Sequence, residues 1–258
     1  MPVIDLGELR THYILTGEEV LPVLMFSNSL GTNLSMWDRQ AAELQNRFRI
    51  LRYDTRGHGQ SSVTSGNYTI EQLGRDAVAL LNSLGITRIH FCGLSMGGMI
   101  GMWLGVHAPE RIQGLVLCNT AARIGTKESW NARIERVRAE GMRPVAGSVV
   151  ERWFTAEYLA KAPDQVAHAR KMLEDSSPAG YAACCAAIRD MDQRDGIGAI
   201  KAPTLVIFGD RDPVIPVPEA EFVADRISGA ERLALHAAHL SNIEQPVAFT
   251  GALDKFLK

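Results

Sequence analysis

Cysteine is scarce. Four thiols in 258 residues do not make a disulfide framework, and no cysteine pairs stand at zinc-site spacing. Cys92 and Cys118 sit in strand-like apolar runs and Cys184-Cys185 in a helical one. All four therefore read as reduced core residues of a cytoplasmic protein. Long apolar runs are missing as well. The longest, residues 20–26, contains Pro22 and falls far short of the roughly 18 residues a membrane helix requires. The opening MPVIDLGELR lacks the apolar core of a signal peptide. Net charge is only −2, without a basic run or RNA-binding signature, which argues against a nucleic-acid partner. Internal repeats and low-complexity segments are also absent. What is there is an ordinary globular composition, 46% hydrophobic and 22% charged, in a chain long enough to bury a sizeable core.

Strand-like and helix-like segments alternate. Residues 3–15 read as two strands about a turn near Gly7. Residues 21–27 read as a buried strand followed by the loop SNSLGTNLSMWD, and 37–44 as a helix. The strand at 49–53 runs into DTRGHGQSS, a glycine-punctuated loop. Over 69–84, Ile70, Leu73, Ala77 and Leu80 share one helical stripe, closed by Gly85 as C-cap. Further strands are expected near 89–92, 115–118, 203–209 and 231–235, with a closing helix over 247–257. Between 123 and 195 the strand-like runs vanish and helices follow one another, broken near Gly141, Pro163 and Pro178. The pattern predicts an α/β fold with a mostly parallel central sheet and helices on both faces. Its core, 1–122 and 196–258, is interrupted by a helical insertion over 123–195.

The chemistry centres on IHFCGLSMGGMIGM, residues 89–102. Gly93-Leu94-Ser95-Met96-Gly97 fits G-x-S-x-G between a buried strand and a buried helix. In that context the turn lifts a serine hydroxyl out of the strand end, and the flanking glycines let two backbones pass closely. The helix that follows brings backbone N–H groups near a developing oxyanion. Serine is a weak nucleophile that requires a base, and the base requires an orienting group. Both stand at the ends of the last two strands: TLVIFG runs into Asp210-Arg211-Asp212-Pro213, and ERLAL into His236-Ala237-Ala238-His239. Asp210 sits almost on the strand and suits the turn, whereas Asp212 can reach a neighbouring loop. His236 adjoins the strand end, whereas His239 lies in the loop before the closing helix. Ser95, Asp212 and His239 are therefore the expected nucleophile, acid and base, in the chain order this fold class uses. Sites in open parallel sheets lie outside the carboxyl ends of the strands, so the three loops should open on one side. Asp54, Arg56 and His58 read as a turn shaping the loop beside the site. His12, His90, His107 and His168 read as structural, and Met96, Met99 and Met102 as packing residues.

GLSMGG, FGDRDPVIP and AAHLSNIEQP, at these relative positions, resemble the α/β-hydrolase superfamily. Within it the chain is most similar to the 3-oxoadipate enol-lactonase family. The resemblance covers essentially the whole chain, including SNSLGTNLSMW, LRYDTRGHGQS and AACCAAIRDMD. It implies the α/β-hydrolase fold with the insertion as a helical cap, and hydrolysis through an acyl-enzyme with no cofactor and no metal. The implied substrate is a small anionic lactone, opened to 3-oxoadipate in the β-ketoadipate pathway of bacterial aromatic catabolism. The family's oxyanion hole maps onto the backbone N–H groups of Leu30 and Met96. Many relatives carry His-Gly where this chain has Asn28-Ser29, a change that backbone donors tolerate. A lactone bearing a carboxylate also requires a cation. Trp130, Arg133, Ile134 and Val137 share one helical stripe, so Arg133 either snorkels to water or points into the cleft beside Trp130. Trp153 is a second pocket-wall candidate, equally explained by core packing. A broad esterase or a cofactor-free haloperoxidase-like perhydrolase shares the same triad. A non-catalytic ligand receptor on the same fold is the alternative from another class.

Overall fold

A computed structural model describes residues 2–257. A hairpin of β1 (Val3–Asp5) and β2 (Arg10–Thr16) turns at Gly7, whose φ is +88°. After it come β3 (Val23–Ser27), β4 (Arg49–Tyr53), β5 (Ile89–Leu94), β6 (Ile112–Cys118), β7 (Thr204–Gly209) and β8 (Glu231–Leu235). They form one eight-stranded sheet in the order β1-β2-β4-β3-β5-β6-β7-β8. β1 and β2 pair antiparallel, as do β2 and β4, and all later pairings are parallel. Every residue of β5 and β7 is buried, which suits their unbroken apolar runs, since helices cover both faces of a parallel sheet. Strand order reverses at β3, with β4 on one side and β5 on the other. The loops leaving β3 and β5 diverge there and open a crevice.

The helices follow their local signals. α1 (Asp38–Leu44) is preceded by a tight turn over Leu34–Trp37. α2 (Ile70–Ser83) begins where Thr69 Oγ1 accepts the Gln72 N–H, and its stripe of Ile70, Leu73, Ala77 and Leu80 is buried. α3 (Met96–His107) is apolar on nearly all sides and packs against β5 and β6. Between β6 and β7 the regular structure is helical: α4 (Lys127–Glu140), α5 (Arg143–Val150), α6 (Ala156–Lys161), α7 (Pro163–Glu174) and α8 (Pro178–Asp190). α4 packs on α8, and α5 on α7. α9 (Val217–Arg226), α10 (Ser241–Glu244) and α11 (Pro246–Phe256) complete the chain. Three details differ from the sequence reading. α9 falls in a stretch where no helix is expected. β6 starts at Ile112, ahead of the expected 115, because exposed Gln113 and buried Gly114 interrupt the apolar run, and the pairing with β5 shifts register there without ending. The four-residue α10 is too short to leave a periodic signal.

All four cysteines are free and buried. The sulfurs of Cys92 and Cys118 lie 3.8 Å apart on adjacent strands, well beyond the roughly 2.05 Å of a disulfide. Among the described residues no helix is long and apolar enough to cross a membrane.

His90 on β5 is buried, and among the described residues neither ring nitrogen has a hydrogen-bond partner. Desolvation and the Arg88 charge both hold its pKa below the ordinary value. The unfolded chain binds this proton from about pH 6.5 downward while the folded chain resists it. The group's stability deficit is therefore absent above that pH and grows as pH falls below it. His90→Leu should gain more thermal stability at pH 5 than at pH 7. Melting curves of the two proteins that stay parallel across that range would remove His90 as the cause.

Candidate active site

β5 ends at Leu94 and α3 begins at Met96, leaving Ser95 alone at the bend. Its φ of 56° and ψ of −114° lie where non-glycine residues are rarely found, a strain of about 1–3 kcal/mol. Neighbours hold it there. The Ser95 N–H donates to the Cys118 carbonyl at 2.8 Å, and its own carbonyl accepts from Thr120 Oγ1 at 2.7 Å. Close approach explains the motif's glycines. A Cβ on Gly93 would stand 2.1 Å from the Gly97 carbonyl oxygen, and one on Gly97 2.1 Å from that of Ser27.

The loop after β3 passes beside this bend. Asn28 faces the core: Nδ2 donates to the Tyr53 carbonyl at 2.8 Å, and Oδ1 accepts from Trp37 Nε1 at 3.1 Å. Ser29 and Leu30 face the cavity instead. Among the described residues, no protein acceptor takes the N–H of Leu30 or of Met96. Two backbone donors are thus left available near Ser95.

Asp212, in the loop after β7, is fully engaged. Oδ1 accepts the N–H groups of Val214 at 2.7 Å and Ile215 at 3.0 Å. Oδ2 lies 2.9 Å from His239 Nδ1 and accepts from Asn119 Nδ2 at 2.9 Å. Burial pushes the Asp212 pKa up, but the charge and hydrogen bond of His239, with the hydrogen bonds from Asn119 and the Ile215 N–H, outweigh it. The net value lies below the ordinary carboxylate range. An ionised Asp212 only accepts, so His239 Nδ1 carries the ring proton and Nε2 is left as a free base. Asp210 and His236, the alternatives, also pair, at 3.2 Å, but they are 45% and 64% exposed. Ser95 and His239 line one cavity of about 280 Å³. Ser95 Oγ has no hydrogen-bond partner among the described residues. Catalytic contacts of this kind tighten when substrate binds.

The helical segment between β6 and β7 supplies the opposite wall. Trp130, Arg133, Arg152, Trp153 and Tyr181 all line the cavity. Trp153 is 3% exposed, so it serves both as packing and as wall. The Arg133 guanidinium lies over the Trp130 ring at 5.0 Å. Among the described residues no acidic side chain lines the cavity, and neither Arg133 nor Arg152 has a carboxylate within 4.0 Å. Desolvation, then the Arg133 charge, lowers the pKa of Arg152. The two cations line the same cavity, and neither has a carboxylate partner among the described residues. Among the described residues, no group of three or more His, Cys, Asp or Glu side chains is arranged to hold a metal ion.

Arg152, Tyr181 and Asn119 are absent from the sequence reading. Arg152 had a signal, its position beside Trp153. Asn119 had another: it is the first residue beyond the carboxyl end of a central strand.

A strained serine between strand and helix, an aspartate–histidine pair from two later strand ends and free backbone donors beside them mark a hydrolase site on a parallel sheet. The chain belongs to the α/β hydrolase fold family, whose model matches residues 22–246. Among curated proteins it is 43% identical to 3-oxoadipate enol-lactonase 2 of Acinetobacter baylyi, over 97% of this chain and 94% of that one. The crystal structure of the enol-lactonase from Burkholderia xenovorans LB400 superposes with a TM-score of 0.98 at 44% identity, covering 99% of both chains. A thermophilic esterase from Thermogutta terrifontis, solved with malate bound, superposes with a TM-score of 0.91 at 32% identity, covering 96% of this chain and 93% of that one.

Proposed function

We propose that this protein is a serine hydrolase that opens 3-oxoadipate enol-lactone to 3-oxoadipate through an acyl-enzyme. The observation that carries the substrate class is the pair of arginines without counter-ions facing a nucleophilic serine across one cavity. A small lactone with one carboxylate supplies the missing anion at one end and an ester carbonyl at the other. The identity to curated enol-lactonases supports the same reading.

The geometry supports the following roles. His239 Nε2 takes the Ser95 proton as Oγ attacks the ring carbonyl, and the N–H groups of Leu30 and Met96 hold the oxyanion. When the tetrahedral intermediate collapses, the ring C–O bond breaks and the electron pair leaves as an enolate oxygen. The His239 imidazolium returns its proton to that group, and the enol relaxes to the ketone. Water then attacks the acyl-enzyme with His239 as base, releasing the second carboxylate and regenerating Ser95. Asp212 holds the imidazole in the required tautomer and stabilises its cation. Residues 123–195 act as a cap that limits bulk water over a core made of 1–122 and 196–258. The buried, free cysteines support a cytoplasmic setting.

The test follows loss of enol-lactone by absorbance, with a neutral aryl ester in parallel. Preference for the lactone is the expected result. Equal or better turnover of the neutral ester would move the protein toward the broad esterases, a reading favoured by its likeness to the Thermogutta enzyme. Hydrogen bonds to a charged group are worth about 1.5–3 kcal/mol, so Arg133→Gln and Arg152→Gln should each raise KM for the lactone roughly ten- to hundredfold. KM for the neutral ester should not move. A uniform effect on both substrates would assign the arginines to packing.

A further inference from the structure

The loop DTRGHGQSS holds the oxyanion loop at two buried points. The Gly31 N–H donates to His58 Nε2 at 2.9 Å, and the Leu34 N–H to Asp54 Oδ1 at 2.8 Å. Gly31 directly follows Leu30, so the first bond fixes the peptide plane on the carboxyl side of Leu30. The plane on its amino side contains the Leu30 N–H and the Ser29 carbonyl, which accepts the Thr32 N–H at 3.2 Å and Thr32 Oγ1 at 2.8 Å. Both planes flanking the Leu30 Cα are thereby clamped. From the far side the loop is pressed by the helical segment. A Cβ on Gly31, whose φ is +79°, would stand 2.5 Å from Leu173 Cδ1 and 3.0 Å from Tyr181 Cε2.

We propose that His58 is a positioning residue of the oxyanion hole: through the Gly31 N–H it fixes the direction in which the Leu30 N–H points at the reacting carbonyl. This rests on Ser95 being the nucleophile and Leu30 a donor. The bond needs an unprotonated Nε2, and a neutral imidazole offers one only with its proton on Nδ1. Nδ1 is placed for that, 3.4 Å from the Arg56 carbonyl and 3.9 Å from Cys184 Sγ on α8. His58 is 1% exposed. Burial lowers its pKa, against the Arg56 carbonyl and the Asp54 charge, which raise it. The ring therefore stays an acceptor at neutral pH.

The decisive variants separate the acceptor from the bulk. In His58→Gln, Oε1 stands near the place of Nε2 and keeps the bond. In His58→Asn the carbonyl is too short to reach Gly31, and in His58→Leu there is no acceptor. Removing an oxyanion donor typically lowers kcat by about 10²–10³, and a misaimed donor loses part of that. The expected result on a p-nitrophenyl ester is kcat within about threefold of wild type for His58→Gln, and roughly 10–100-fold lower for His58→Asn and His58→Leu with KM unchanged. A boronic acid that forms a tetrahedral adduct with Ser95 should lose affinity by the same factor, while adipate binding stays constant. Equal losses in all three variants, a loss carried by KM, or unchanged boronate affinity would each overturn the proposal. The ester requires only the Ser95 chemistry, so the outcome does not depend on the lactone assignment. A defective ester reaction in wild type would instead count against the serine hydrolase reading itself.

Discussion

Ser95→Ala should lower kcat by roughly 10⁶ while leaving ligand binding intact. The substitution removes one oxygen and nothing that holds the bend. Alanine carries the same Cβ into the strained backbone, and the bonds to the Cys118 carbonyl and from Thr120 Oγ1 involve only main-chain atoms of residue 95. Arg133 and Arg152 sit on the opposite wall, so the carboxylate end of a ligand retains its partners. Calorimetric titration with adipate should give the same Kd in both proteins. A variant retaining more than about a thousandth of wild-type turnover would show that Ser95 is not the group that attacks.

Asp212→Asn should lower kcat by about 10⁴, close to 5 kcal/mol of barrier, with little change in KM. The surrounding donors dictate how the new amide sits. The Val214 and Ile215 N–H groups need an acceptor on the Oδ1 side, so the amide oxygen takes that place and the NH₂ turns toward His239. Asn119 cannot rotate to compensate. Its Oδ1 is held by Ser241 Oγ at 2.6 Å, and its Nδ2 also donates to the Ala238 carbonyl at 3.2 Å. With donors now facing Nδ1, the imidazole moves its proton to Nε2 and ceases to be a base toward Ser95. The purified variant should melt cooperatively yet turn over poorly across pH 7–9. A loss smaller than a hundredfold would mean that another group orients His239.

The fold, and the placing of the candidate residues at strand ends, was legible in the sequence, for a physical reason. The proposed nucleophile, acid and base each stand just beyond an apolar strand, where periodicity and turn residues mark both the strand and its end. Choosing Asp212 over Asp210, and His239 over His236, needed only distance from the strand end, and the structure puts the chosen pair in the interior and the other at the surface. Asn119, Arg152 and His58 were harder. The contacts of Asn119 and His58 span 93 and 27 positions of chain, Arg152 meets Ser95 only around a cavity, and no local pattern encodes such a meeting. His58 illustrates the difference. Its loop reads as a turn beside the site, and only coordinates show that one ring nitrogen grips the segment bearing Leu30. α10 escaped because a single helical turn has no period.

β6 and β7 are hydrogen-bonded neighbours, yet 85 residues of chain run between them (119–203), so the ends of that excursion return to adjoining rails of the sheet. Such an arrangement makes its helical stretch, 123–195, a replaceable module that leaves Asn119 and Thr120 in place beside Asp212 and Ser95. Ser95, Asp212 and His239 lie outside it, whereas Trp130, Arg133, Arg152, Trp153 and Tyr181 lie inside it. Evolution, or an engineer, can therefore exchange what the protein accepts while inheriting unchanged the apparatus that cuts.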